Sequence, residues 1–133
     1  MADISKTAAD VRALPHAVVE RYDAGGSLNA GDTVYLASDG DVDQADASAA
    51  ATTYAIGIVI ADSDGSTSFV AGDRVDVVTF GRVAGFSGMT PGDVLYQSDT
   101  AGALADAAGT TSHKVGKARS ATVFFVNPDL TEA

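Results

Sequence analysis

The sequence predicts an all-β domain: a small sandwich or barrel of about eight to ten short strands, with an internal repeat and a flexible N-terminal arm. Three observations carry this. Apolar residues gather in short runs separated by Gly, Asp, Ser and Thr in turn-like clusters. Of 18 acidic residues only Glu20 and Glu132 are Glu, and Asp is a poor helix former whose short carboxylate bonds nearby backbone N–H groups in turns. Finally, Gly31-Asp32-Thr33-Val34-Tyr35 recurs as Gly92-Asp93-Val94-Leu95-Tyr96, with a shorter echo in Gly72-Asp73-Arg74-Val75.

Taken in order, residues 1–15 are polar, end at Pro15 and show no helical stripe beyond a short turn around Ala8 to Leu14; they read as an arm, ordered only if something holds it. A single β domain follows over 16–126, with a tail at 127–133. The run HAVVERY alternates, with Ala17, Val19 and Arg21 on one face and Val18, Glu20 and Tyr22 on the other, and predicts the first strand. Thr33 to Ala37 is the second. The stretch SDGDVDQADASAAATT is too weakly apolar for a core strand and predicts a long exposed loop with at most a short edge strand. Tyr54 to Ala61 (YAIGIVIA) is the most apolar segment, and its β-branched content marks a central strand buried on both faces. TSFVAGD, Arg74 to Phe80 and RVAGF supply two or three more strands. Val94 to Gln97, His113 to Arg119 and Ala121 to Val126 close the domain.

The repeat extends past the turns. GDTVYLASDG leads through a loop to Ala55-Ile56-Gly57-Ile58-Val59, and GDVLYQSDTAG leads to Lys114-Val115-Gly116-Lys117-Ala118, with the in-strand glycine at nearly the same distance. This is the pattern of a duplicated β unit or of convergent turn chemistry. A single Gly inside a strand marks a bulge or the close approach of another backbone.

Composition excludes several functions. With 18 acidic against 8 basic residues the net charge is -10, and the basic residues look scattered, which argues against a nucleic-acid partner. Acidity of this kind also fits a halophilic host. No cysteine is present, so thiolate chemistry and disulfides are excluded. The N-terminus has no secretory pattern and no apolar run approaches the roughly 18 to 20 residues of a membrane span, so a soluble product assembling into a particle is expected.

No catalytic constellation stands out. His16 and His113 lie outside metal-ligand spacings and read as surface or strand-face residues; there is no G-x-S-x-G elbow and no phosphate loop. Asp39, Asp41, Asp43 and Asp46 alternate as Ca²⁺ ligands would, but Gln44 and Ala50 occupy the places where an EF-hand needs Gly and Glu, so a solvated acidic loop is the competing reading. Phe69, Phe86, Met89 and Leu104 sit near turns, either covering a neighbouring subunit or plugging the ends of the sandwich. No enzyme activity and no cofactor are expected.

The C-terminal half, GRVAGFSGMTPGDVLYQSDTAGALADAAGTTSHKVGKARSATVFFV, resembles a module of tailed-virus structural proteins, and the layout from Ala17 to Val126 is similar to the small β-rich capsid decoration, or cement, proteins of those viruses. The resemblance implies a structural protein without an active site. Such a protein sits on the outer capsid surface of the virion, commonly as a homotrimer, and clamps adjacent major capsid protein subunits. It implies that the arm reaches onto the lattice or a neighbour, which makes Ile4, Val11 and Leu14, with Phe86 and Met89, the candidate interface residues. The long Ala-rich loop departs from a compact cement domain and keeps open a turret or fibre module that binds a host receptor or glycan, for which Tyr35, Tyr54 and Tyr96 are the candidate stacking residues.

Overall fold

The computed structural model describes residues 2–128. The chain forms β1 (Ser5–Lys6), a single 3-10 turn (Ala8–Asp10), β2 (Arg12–Ala13), β3 (Val18–Asp23), β4 (Leu28–Asn29), β5 (Thr33–Leu36), β6 (Val42–Gln44), β7 (Gly57–Val59), β8 (Ser68–Phe69), β9 (Arg74–Ala84), β10 (Phe86–Ser87), β11 (Val94–Gln97), β12 (Leu104–Ala105), β13 (Lys114–Ala118) and β14 (Val123–Val126). The all-β class is as predicted. All strand pairs are antiparallel, and β9 organises them. Its first half lies between β3 and β7, beyond which come β5 and β6; its second half lies between β2 and β14, beyond which come β13, β11 and β12. Two half-sheets therefore share one long strand and curl over a common core.

That core draws Ile58 and Val78 from the first half-sheet and Val83, Leu95, Val115, Phe124 and Val126 from the second. A second cluster lies on the far side of the first half-sheet. Val34, Val42, Val59, Val75 and Val77 pack there under Leu28 of β4 and Phe69 of β8. The segment Tyr54 to Ala61 is thus sandwiched as its composition predicts, with Gly57, Ile58 and Val59 all buried.

The duplication is a feature of the fold. The pairs Gly31-Asp32, Gly72-Asp73 and Gly92-Asp93 each close a four-residue turn in which the Asp N–H donates to the carbonyl three residues back: Asp32 to Asn29 (3.0 Å), Asp73 to Val70 (3.0 Å), Asp93 to Thr90 (3.1 Å). The glycines take φ of 96°, 93° and 89°, as the third position of a type II turn requires. Each pair then docks by two reciprocal backbone bonds on one strand residue: Gly31 and Asp32 on Val59, Gly72 and Asp73 on Ala24, Gly92 and Asp93 on Ala118. Beyond the turn the registers agree. Thr33 pairs with Ile58 and Val34 with Gly57, just as Val94 pairs with Lys117 and Leu95 with Gly116.

Three expectations are corrected. Residues 2–15 are not a free arm: β1 pairs with β10 and β2 with β9, and Val11 is fully buried under Gly85. The segment 38–53 is not wholly an exposed loop, because Val42, Ala45, Ala47 and Thr53 are buried; small side chains fill the space where the two repeats meet. His113 is buried, with Nε2 3.0 Å from the Ala55 carbonyl and its ring edge-on to Tyr54. TSFVAGD, Arg74 to Phe80 and RVAGF supply three strands, within the two or three expected: β9 runs from Arg74 on to Ala84 through Gly81, whose φ of 117° and lack of a Cβ let Ala17 pass against it, and Phe86 begins β10. The tail from 129 onward lies outside the described residues.

One buried hydroxyl breaks the repeat. Thr33 Oγ1 has no hydrogen-bond partner among the described residues, and the equivalent position in the second copy is Val94. Replacing an unsatisfied hydroxyl by a methyl of the same shape removes a desolvation cost, so Thr33→Val is expected to raise stability by about 1 kcal/mol. Urea unfolding measures it; a loss of stability would show that Oγ1 has a partner.

Candidate interaction surface

Strand alternation separates the residues of the second half-sheet into two rows. Ala118, Phe124 and Val83 stand opposite one another and face the core. One residue along, Val94, Lys117, Phe125 and Arg82 form a continuous cross-strand row on the opposite face, turned to solvent. Opposed residues of antiparallel strands share a face, so this row is a designed surface stripe of apolar and cationic residues in alternation.

The cations are not scattered. Among the described residues three ion pairs occupy Lys6 (with Asp32), Arg21 (with Asp76) and Arg74 (with Asp23). The other five, Arg12, Arg82, Lys114, Lys117 and Arg119, are exposed and belong to the second half-sheet or its flanking turn. Lys114, Lys117 and Arg119 line an open groove of about 570 Å³ floored by Val94 and Phe125. The Arg119 guanidinium lies 4.5 Å over the Phe125 ring, and Phe125 meets Phe80 edge-on at 5.2 Å.

Phe80 makes the surface continuous. It is 47% exposed, and it lines both a shallow depression with Arg82, Arg119 and Phe125 and a second one, of about 430 Å³, with Glu20, Tyr22, Leu36 and Ile56. Val18, paired with Phe80, and Leu36, each close to half exposed, extend the apolar area across β3 and β5. In that depression Tyr22 donates to Glu20 (3.0 Å), and burial together with this carboxylate raises the phenol above its ordinary range. The whole is a shallow, aromatic-centred surface with Arg at its middle, a composition typical of protein–protein contact.

Of the five interface residues expected from sequence, none lies on this surface. Val11, Phe86 and Met89 are core residues, Phe86 meeting Phe124 edge-on at 6.0 Å; Ile4 is half-buried against the same core, and Leu14 is half-buried. Proximity to turns did not expose them, because residues 2–15 cover that end of the sandwich. Tyr35, Tyr54 and Tyr96 are each half-buried within or beside strands.

The four aspartates read as Ca²⁺ candidates are not drawn to one point. Asp39 Oδ1 accepts from the Asp41 N–H (3.0 Å) and Asp46 Oδ1 from the Ser48 N–H (2.9 Å). Among the described residues no group of three or more His, Cys, Asp or Glu side chains is placed to hold a metal ion. Asp41 is pushed above the usual carboxylate range by desolvation and then by Asp39, Asp23 and Asp43, so the loop is a locus of crowded negative charge.

The residues that sequence reading passed over, Phe80, Arg82, Lys117, Arg119 and Phe125, had a usable signal. Consecutive Phe124 and Phe125 in one strand must point to opposite faces, so one of them had to be accounted for outside the core. Among the described residues no helix is long and apolar enough to cross a membrane. No protein-family model matches the chain, and the search of curated proteins finds none similar to it.

Proposed function

We propose that the chain is a capsid decoration protein that binds the outer surface of a virion's capsid lattice and stabilises it through a symmetric oligomer, without catalysis. What carries the reading beyond the resemblance of the C-terminal half is the shallow surface centred on Phe80, Phe125 and Arg119. It suits a wide, flat protein partner better than a small substrate. A cement protein repeats modest contacts at every lattice position, and avidity converts them into tight binding. The partners are the major capsid protein and further copies of this chain, and the acidity fits a halophilic host.

The test is co-sedimentation with expanded and unexpanded shells assembled from the major capsid protein of the same genome. Binding to the expanded shell, with Phe125→Ser lowering it at least about tenfold while the unfolding midpoint stays near that of the parent, is expected. Indifference to both shells overturns the reading. Binding to glycans in the absence of shells would instead favour the receptor-binding fibre module.

A further inference from the structure

The two copies of the repeat are stacked front to back. Ile58 and Val78 are the structural equivalents of Lys117 and Phe125, since Ile58 pairs with Val78 next to Gly57 as Lys117 pairs with Phe125 next to Gly116. In the first copy this face is buried in the shared core, against Ala118 and Phe124 of the second copy. The same face of the second copy has nothing over it: Lys117 is exposed and Phe125 half-buried. A front-to-back pair leaves one face uncovered at each end. At the first copy's end β4 and β8 close it with Leu28 and Phe69; at the second copy's end the chain supplies no cover among the described residues.

Charge decides what fits there. The uncovered face and its rim hold five of the chain's 8 cations, leaving three for the rest of a chain with 18 acids. Two such faces cannot meet each other across a two-fold axis, because cation would face cation. An acidic patch on another copy is the complementary element. The β5–β6 hairpin provides one: Asp39, Asp41 and Asp43, with Asp23 close enough to act on Asp41.

We infer that a second copy of this chain docks head to tail on the cationic face of β13, β14 and the second half of β9, presenting the acidic tip of its β5–β6 hairpin to Arg82, Lys117 and Arg119 above Phe125. This names the contact within the oligomer proposed above but needs no capsid, so it is tested on the isolated protein. The contact is heterologous, and copies joined this way close into a ring or extend as a string.

The experiment is charge exchange read by sedimentation velocity. One variant carries Lys117→Glu and Arg119→Glu, the other Asp39→Lys and Asp41→Lys. The parent is expected to form species larger than a monomer, and their association to weaken as rising salt screens the exposed charges while the apolar contact on Phe125 remains. Each variant alone presents like charges at the contact and is expected to associate at least about tenfold more weakly. An equimolar mixture presents opposite charges at both contacts and is expected to recover the larger species. Neutral Lys117→Gln and Arg119→Gln, which remove the charge without reversing it, are expected to give a smaller loss and guard against misfolding of the reversed forms. A parent that stays monomeric at every concentration overturns the inference, as does an oligomer indifferent to the reversals. Shell binding is read separately by co-sedimentation: a chain that stays monomeric yet binds the expanded shell overturns this contact alone, and where the contact holds, Phe125→Ser lowers shell binding by removing the avidity of the oligomer.

Discussion

Gly116→Ala is expected to destabilise the protein by about 3 kcal/mol, and Gly57→Ala by a similar amount. A Cβ at Gly116 would run into the Phe125 carbonyl oxygen and one at Gly57 into the Val78 carbonyl oxygen, which are equivalent atoms of the two copies. Neither glycine lies in the left-handed region, so the cost comes from space alone. The obstructing atom is backbone in a paired strand and cannot rotate away; β13 must separate from β14, or β7 from β9, losing ladder bonds over the core. Gly65→Ala is the matched control. Its φ of 89° disfavours a side chain but nothing lies within 4 Å of the added carbon, so its cost should stay near 1 kcal/mol. Urea unfolding of the three variants separates the mechanisms; equal effects at all three would mean that close approach does not hold the repeat together.

This glycine pair was legible in the sequence as a bulge or a close approach of a neighbouring backbone, because a Gly stands in each apolar run at a like distance from a Gly-Asp turn; the fold shows close approach at both. The all-β class was legible for the same local reasons: turn chemistry and alternation act within a few residues. What sequence reading missed depends on contacts distant in sequence. Val11 looked like part of an arm, since nothing local reveals that Gly85 leaves a cleft for it. Ala45 and Ala47 looked exposed because alanine carries little hydrophobic signal, yet small side chains are what the junction of two repeats accommodates. The cationic face was hidden most completely. Arg82, Lys114, Lys117 and Arg119 come from two segments that are brought side by side only when β14 inserts between β13 and β9.

The second large effect is expected from Lys6→Met, at about 3 kcal/mol of lost stability. Lys6 lies in the segment expected to be loose, yet its Nζ donates to the Gly31 carbonyl (2.9 Å), the Gly102 carbonyl (2.8 Å) and Asp32 Oδ1 (3.0 Å). Gly31 belongs to the Gly-Asp turn of the first copy and Gly102 to the β11–β12 hairpin of the second, so one ammonium group ties the two repeats to the N-terminal segment. Asp32 is only 4% exposed, and its other oxygen takes the Asn29 N–H and the Gln44 amide, both at 2.8 Å. Methionine keeps much of the side chain's apolar length but leaves that carboxylate buried beside two carbonyls with no cation, and breaking a buried pair costs far more than the pair contributes. Adding Asp32→Asn to Lys6→Met removes the stranded charge, so the double variant is expected to recover about 1 kcal/mol or more of the loss. Arg74→Met supplies the contrast: its pair with Asp23 has both side chains more than half exposed, and its loss should be under about 1 kcal/mol. High salt should shrink the Arg74 effect and leave the Lys6 effect nearly intact, since screening reaches exposed pairs first. If Lys6→Met unfolds at the same urea concentration as the parent, residues 2–15 are bound to the domain by Val11 and the strand pairing alone.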